Sequence, residues 1–115
     1  MKILIDGMGG DYSPSEIVKG AVAAAPEVDA VIGIIGPEET IREELKNNRW
    51  RGKNIEIINA TEVIHNTESP AMAIRKKKDS TIVVGMNMLK NGEGDAFISA
   101  GSTGALLSGG LLILG

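Results

Sequence analysis

The stretch KILIDGMGGDYSPSE (residues 2–16) joins an apolar run to a glycine-rich loop and then to a helix-start pattern. The apolar side chains of KILID predict a strand that is covered on both faces, as strands of parallel sheets are. Ser13 is predicted to cap the following helix, with Pro14 in its first position and Glu16 completing a capping box. The order of strand, glycine loop and helix therefore predicts an α/β unit at the start of the chain.

The same alternation continues to the end of the chain. Three further apolar runs predict strands at residues 30–35, 54–58 and 95–100. Further helices are predicted after Gly36-Pro37, near Pro70, after a cap at Asp79 or Ser80, and from Thr103. The last helix is apolar nearly all round, which predicts that it is buried. Together these elements predict a three-layer α/β/α fold with a mainly parallel sheet and right-handed connections.

Two glycine-rich loops follow predicted strands, GMGGD at residues 7–11 and AGSTG at residues 100–104. Ligands of such sheets bind beyond the carboxyl ends of the strands, near the point where the strand order reverses. If the strand order is 3-2-1-4, the two loops lie side by side at that point. The longest connection, residues 59–69, is a further candidate for function.

The loop AGSTGA (residues 100–105) has the features of an anion site. Gly101 and Gly104 let a ligand approach the backbone, the N–H groups of residues 102–104 open a helix, and Ser102 and Thr103 add hydroxyl groups. A capped helix start that packs tightly on its strand explains the same pattern equally well. The first glycine loop does not match G-x-G-x-x-G because Tyr12 replaces the third glycine, and no P-loop motif is present, so a nicotinamide dehydrogenase is only weakly supported.

The amino-acid composition excludes several classes of protein function. The chain has 115 residues, of which 43% are hydrophobic, and its net charge of −3 argues against general nucleic-acid binding. Cysteine is absent, which excludes disulfides and thiol nucleophiles. No apolar run reaches the roughly 18 residues that a membrane span needs. The chain ends in ALLSGGLLILG, and because a complete domain seldom exposes such a surface, we expect it to be part of a longer protein.

Charged side chains give less specific signals. His65 is the only histidine, and a lone histidine in a loop is more often incidental than catalytic. Asp6 and Asp11 are either paired acids or strand-end and turn carboxylates that accept backbone hydrogen bonds. The run RKKKDS (residues 75–80) is the only basic cluster, and such a run is more often a solvated helix face than a binding site.

Three segments in this order, MKILIDGMGGDYSP, EVI…SPAMAIRKKKDS and DAFISAGSTGALLSGGLLILG, resemble the N-terminal part of PlsX-type acyl-acyl-carrier-protein:phosphate acyltransferases. The resemblance covers essentially the whole chain. The usual motifs of that family are close to D-A-M-G-G-D-H-A-P and S-A-G-N-T-G-A, from which Gly7, Tyr12, Ser13 and Ser102 depart. The resemblance implies that residues 1–115 are the first part of a single acyltransferase domain and that the C-terminal remainder of this domain is absent. It also implies that the domain is related to phosphotransacetylases and isocitrate-dehydrogenase-like enzymes.

The resemblance also implies a reaction, in which inorganic phosphate attacks acyl-acyl-carrier protein to give acyl phosphate for phospholipid synthesis, without a metal or other cofactor. The expected phosphate and acyl-thioester site comprises Met8, Gly9, Gly10, Asp11, Gly101, Ser102, Thr103 and Gly104. The basic residues Arg75, Lys76, Lys77 and Lys78 are expected to attract the carrier protein or phosphate. A cytoplasmic homodimer is implied, with peripheral membrane contact and a downstream membrane acyltransferase as partner. The catalytic residues stay unassigned, and two alternatives stay open, a non-catalytic anion-binding fragment and a phosphotransacetylase that acts on acyl-coenzyme A.

Overall fold

A four-stranded parallel sheet forms the centre of the structure. The computed structural model describes all residues from 1 to 115. The strands are β1 (Lys2–Asp6), β2 (Val31–Gly36), β3 (Ile55–Asn59) and β4 (Ala96–Ile98), and their order in the sheet is β3-β2-β1-β4. Every neighbouring pair is parallel, so the predicted strand order and direction are both confirmed.

Strand β1 pairs on both sides, which sets the position of the loop that follows it. Ile5 is paired with Ile34 of β2 on one side and with Ile98 of β4 on the other. Because parallel strands end at the same edge of a sheet, the loops after β1 and β4 leave that edge as neighbours.

Helices cover both faces of the sheet, as the predicted three-layer fold requires. They are α1 (Ser15–Ala24), α2 (Glu38–Asn47), α3 (Pro70–Lys76), α4 (Thr81–Lys90) and α5 (Thr103–Gly109). Helices α1 and α2 pack on one face, α4 packs on the other face, and α3 and α5 pack against each other beside α4. The structure is therefore an α/β fold with helical layers on both sides of a parallel sheet.

Alternate side chains of the strands supply the two cores. Ile32 and Ile34 of β2 pack against Val18 of α1 and against Ile41 and Leu45 of α2. On the opposite face, Leu4 and Ile35 form a smaller cluster that α4 covers. Burial on both faces explains why the strand sequences are continuously apolar rather than alternating.

The beginning of α1 differs from the predicted capping box. The helix starts at Ser15, and its N-cap residue, Pro14, offers no side-chain hydrogen bond. The hydroxyl of Ser13 instead donates to the carbonyl oxygens of Met8 and Gly10, each at 2.9 Å. The predicted capping box is therefore wrong, because Ser13 closes the glycine loop that precedes the helix.

The last helix is the second difference. Ala105 and Gly109 face α3 and α4 and are buried, whereas Leu107 is 65% exposed and Leu111 is 66% exposed. The predicted burial of the whole helix is therefore wrong, because α5 and the π-helical turn after it (Gly110–Leu114) pack on one side only. No helix of the structure combines the length and the apolar character that crossing a membrane requires.

The remaining boundaries differ less. Strand β4 ends at Ile98, two residues before the predicted end, because Ser99 turns its side chain to Asp6. Helix α4 is capped by Ser80, whose hydroxyl accepts a hydrogen bond from the amide of Val83 at 3.3 Å. Asp79, the alternative cap, binds Thr61 instead. Helix α3 begins at Pro70, as predicted.

Leu4 tests the importance of the sheet core. Its side chain is fully buried, so we expect Leu4→Ala to lower the free energy of unfolding by about 2–5 kcal/mol through lost burial and a residual cavity. Leu107→Ala removes the same atoms from an exposed helix face and should change it by less than about 0.5 kcal/mol. Urea unfolding of the two variants measures the difference, and equal losses would contradict this description of the core.

Candidate functional site

The two glycine loops meet at the carboxyl edge of the sheet, as the sequence predicts. A Cβ atom added to Gly9 would lie 2.8 Å from the amide nitrogen of Gly101, and one added to Gly101 would lie 3.3 Å from the Cα atom of Gly9. Gly10 has a φ of 101°, in the region that side chains disfavour. The loops therefore approach each other backbone to backbone, at a separation that only glycine allows at position 9.

A buried carboxylate joins the two loops. Asp6, the last residue of β1, is 2% exposed. Its Oδ1 atom accepts a hydrogen bond from the amide of Met8 at 3.0 Å, and its Oδ2 atom accepts one from the hydroxyl of Ser99 at 2.8 Å. The hydroxyl oxygen of Ser99 in turn accepts a hydrogen bond from the amide of Gly101 at 3.1 Å. Asp6 is thus bound to both loops, in agreement with the reading of it as a strand-end carboxylate that accepts hydrogen bonds.

A pocket of about 290 Å³ opens beside this junction. Three segments form its walls: the end of β1 with the first glycine loop, the loop after β4, and part of the connection between β3 and α3. The lining residues are Asp6, Met8, Gly9, Gly10, Asp11, Val63, Ile64, His65, Asn66, Ala100, Gly101 and Ser102. Such a volume is at the lower end of the range of ligand pockets and suits a small polar group.

The third wall is the part of the site that sequence reasoning did not assign. Residues 59–69 were predicted only as a long connection of functional interest, and His65 was considered incidental. In the structure, His65 and Asn66 are exposed side chains that line the pocket opposite the glycine loops, while Ile64 is 4% exposed and anchors the segment in the core. The length of the connection was the only signal in the sequence, because nothing local shows where a loop folds back.

Several lining residues have backbone amides without a partner in the chain. The amides of Gly10, Asp11 and Ser102 donate no hydrogen bond within the chain. The lining contains no lysine or arginine, and its carboxylates are those of Asp6 and Asp11. Donor groups for a ligand are therefore the amides, the Ser102 hydroxyl, the Asn66 side chain and the His65 ring, which carries an N–H in either protonation state.

The structure brings most of the predicted phosphate and thioester residues together. Met8, Gly9, Gly10, Asp11, Gly101 and Ser102 all line the pocket. Thr103 and Gly104 do not line it, because they begin α5, where Gly104 packs against Pro70. The hydroxyl of Ser102 also accepts a hydrogen bond from the amide of Ala105 at 3.2 Å. Ser102 therefore combines both sequence interpretations, since it caps a helix and lines the pocket.

The basic run 75–80 divides into two groups. Arg75, Lys76 and Lys78 are exposed and form no salt bridge. Lys77 is half-buried, and its Nζ atom donates to the carbonyl oxygen of Val63 at 2.8 Å and to Oε1 of Glu68 at 2.6 Å. Lys77 is therefore engaged within the chain, unlike its neighbours.

The pKa of the Glu68 carboxyl is lowered by its surroundings. The hydrogen bond from Lys77 is the largest cause that holds the pKa of Glu68 below its ordinary value of 4.5, followed by the hydrogen bond from the amide of His65. The carboxylate thus binds both a lysine and the backbone of the third pocket wall.

No three or more His, Cys, Asp or Glu side chains lie close enough together to hold a metal ion.

Comparison with known proteins identifies the family. A sequence model of the family described as "Fatty acid synthesis protein" matches residues 1–115, which is the whole chain. The chain belongs to this family. Together with the relatives described next, this membership confirms the resemblance to PlsX-type phosphate acyltransferases that the three motifs indicated.

Three relatives of the chain share about half of its residues. The chain is 50% identical to the phosphate acyltransferase of Clostridium novyi, 48% identical to that of Clostridioides difficile and 51% identical to that of Caldanaerobacter subterraneus. Each alignment covers 100% of the chain but 34% or 35% of the relative. The chain therefore spans about a third of the length of the curated relatives that it matches.

Gly9 tests the close approach of the two loops. Gly9→Ala would place a Cβ atom 2.8 Å from the Gly101 amide and 2.9 Å from Oδ2 of Asp6, so the loops must separate. We expect a loss of about 1–3 kcal/mol in the free energy of unfolding. Gly20→Ala is the matched control, because no atom lies within 4 Å of the added Cβ and α1 should gain about 0.5–1 kcal/mol. Denaturant unfolding gives both values, and a neutral Gly9→Ala would show that the loops are not in contact.

Glu68 tests the link between Lys77 and the pocket wall. A pKa that is lower in the folded state means that the carboxylate stabilises the fold above its ordinary value of 4.5, and that this contribution disappears as the pH falls through the folded pKa. An NMR titration of the Glu68 carboxyl should give a midpoint below 4.5 in the unaltered chain and a higher one after Lys77→Met. Lys90→Met, which removes an exposed charge at the C-terminal end of α4, should leave the midpoint unchanged. A midpoint that ignores Lys77→Met would contradict the hydrogen bond.

Proposed function

We propose that these 115 residues are the N-terminal part of an acyltransferase domain, and that the complete protein transfers a fatty acyl group from acyl-acyl-carrier protein to inorganic phosphate. Two observations support the proposal. The relatives that share about half of the residues are named phosphate acyltransferase. The pocket at the junction of the glycine loops, with its free amides, is the observation of the structure that carries it.

The proposed reaction requires little covalent chemistry from the protein. An oxygen atom of phosphate attacks the thioester carbonyl carbon, the carbonyl oxygen becomes an oxyanion, and the carbon–sulfur bond breaks as the carrier protein leaves as its thiolate. Because phosphate is the nucleophile, no cysteine or serine acyl-enzyme forms. The protein must hold phosphate next to the thioester and stabilise the oxyanion, for which fixed backbone amides are suited.

The lining residues suggest how the work is divided. We assign the amides of Gly10 and Ser102 to the phosphate or the developing oxyanion, because both amides are free and belong to the two loops that meet at the pocket. Asp11 would repel phosphate at close range, so its carboxylate is assigned to the wall rather than to direct contact. His65 is added to the predicted set, since its ring is a hydrogen-bond donor in the wall opposite the glycine loops.

The exposed basic residues are proposed to attract the acidic carrier protein. Arg75, Lys76 and Lys78 form no internal salt bridge, so their charges are available to a partner at the surface beside α3. Lys77 is left out of this set because it binds Glu68 and Val63. A long-range attraction of this kind weakens as ionic strength rises.

Acyl transfer is tested with two proteins, the chain itself and a chimaera in which it replaces the corresponding third of the Clostridium novyi phosphate acyltransferase. Each receives phosphate with either acyl-acyl-carrier protein or acyl-coenzyme A, at low and at high salt. We expect acyl phosphate from the chimaera with the carrier-protein substrate, at a rate that falls as salt increases. Acyl phosphate only from acyl-coenzyme A would favour a phosphotransacetylase, and none from either substrate would overturn the proposal.

Ser102 tests the position of phosphate in the pocket. Ser102→Ala in the chimaera removes a hydroxyl from the lining and disturbs the loop, so we expect KM for phosphate to rise by about tenfold, which corresponds to about 1.4 kcal/mol. Ser80→Ala is the matched control, because Ser80 is an equally buried cap on α4 that lies outside the pocket. Steady-state kinetics with varied phosphate separates the two, and equal KM values would remove Ser102 from the site.

A further inference from the structure

The connection between β3 and α3 is ordered by side-chain contacts rather than by regular secondary structure. Residues 60–69 contain no helix and only one isolated bridge, between Glu62 and Ser80. Four consecutive residues of this segment, Val63 to Asn66, nevertheless line the pocket. Their positions therefore depend on whatever fixes the segment from outside.

The first part of the segment is bound to the residues that lead into α4. Oδ2 of Asp79 accepts hydrogen bonds from the amide of Thr61 at 3.0 Å and from its hydroxyl at 2.6 Å. The amide of Glu62 donates to the carbonyl oxygen of Asp79, and the amide of Thr81 donates to the carbonyl oxygen of Glu62, both at 3.1 Å. This end of the segment is consequently held independently of the pocket residues.

Besides the buried side chain of Ile64, Lys77 holds the part of the segment that lines the pocket. Lys77 bonds to the carbonyl oxygen of Val63 and to the carboxylate of Glu68, and so it connects two points on either side of His65. Oε1 of Glu68 also accepts the amide hydrogen of His65 at 3.0 Å, and the amide of Glu68 donates to the carbonyl oxygen of His65 at 3.1 Å. Glu68 is thus bonded to both the N–H and the C=O of His65, and Lys77 is bonded to Glu68.

The energetics favour a local role for this ion pair. The side chains of Lys77 and Glu68 are 28% and 27% exposed, so solvent screens their attraction and their effect on global stability is small. Hydrogen bonds between charged groups are nevertheless stronger and more directional than neutral ones. The pair is therefore suited to holding one loop in place rather than to stabilising the fold.

We propose that Lys77 and Glu68 are positioning residues that hold the His65–Asn66 wall at a fixed distance from the glycine loops and so set the width of the pocket for phosphate. The inference rests on the proposed function, because it takes phosphate as the ligand of the pocket. It assigns to the basic run a task inside the molecule, in addition to any attraction of a partner by Arg75, Lys76 and Lys78. Neither residue touches the pocket itself.

The test compares Lys77→Met with Lys90→Met, which removes the same charge from an exposed position at the C-terminal end of α4. Hydrogen exchange of the amides of residues 61–68 should accelerate in Lys77→Met only. In the chimaera, kcat/KM for phosphate should fall by about 10- to 100-fold, as expected for a displaced positioning group, with most of the change in KM. Lys77→Arg keeps the charge and the donors and should restore most of the affinity.

Phosphate binding separates this inference from the proposed function. The shifts of the Gly10 and Gly101 amides are followed by NMR as inorganic phosphate is added to the chain and to each variant. If the chimaera makes no acyl phosphate, weaker phosphate binding in Lys77→Met than in Lys90→Met still supports the positioning role. If hydrogen exchange or phosphate binding is the same in the two variants, or if kcat/KM is the same in an active chimaera, Lys77 does not position the wall and the inference is overturned.

Discussion

The close contact between Gly9 and Gly101 is the constraint on which the site depends. The two loops come from strands that are far apart in the sequence, and their backbones approach to a distance that leaves no room for a side chain at Gly9. Asp6 holds this contact together because each of its oxygen atoms is bonded to a different loop, to Met8 and to Ser99. A buried carboxylate with both oxygens bonded avoids the cost of an unpaired charge and fixes the geometry around it.

The topology of the sheet makes this contact possible. Strand β1 lies between β2 and β4. The chain adds β2 and β3 on one side of β1 and reaches the other side, as β4, only after three connections. The strand pairing places the last residues of β1 and β4 side by side, and both glycine loops begin there. The helices on the two faces bury the strands, and the pocket opens at the carboxyl edge, where ligands of open parallel sheets generally bind. The pocket is thus a consequence of strand order together with loop composition.

The third wall of the pocket, which contains His65 and Asn66, is held in position by side-chain hydrogen bonds rather than by strand pairing. His65 and Asn66 belong to a segment without regular hydrogen bonding, and its course is set by bonds from Lys77, Glu68 and Asp79. Lys77 looks like its neighbours in the sequence, one of several basic residues on an exposed helix end. Only its half-buried position, within reach of Val63 and Glu68, distinguishes it from Lys78.

The sequence by itself determined the α/β class and the two glycine loops that follow strands, because apolar runs and glycine positions follow local rules of backbone and burial. The meeting of the two loops followed only on the condition of the strand order 3-2-1-4, which the structure has. It also gave the family, through three motifs in order. The sequence did not determine that Ser13 closes the first loop instead of capping α1, or that Leu107 is exposed, since both depend on which groups lie nearby in space. The place of His65 in the pocket and the pairing of Lys77 were likewise decided by tertiary structure, because a loop without periodicity carries no local signal of the surface it packs against.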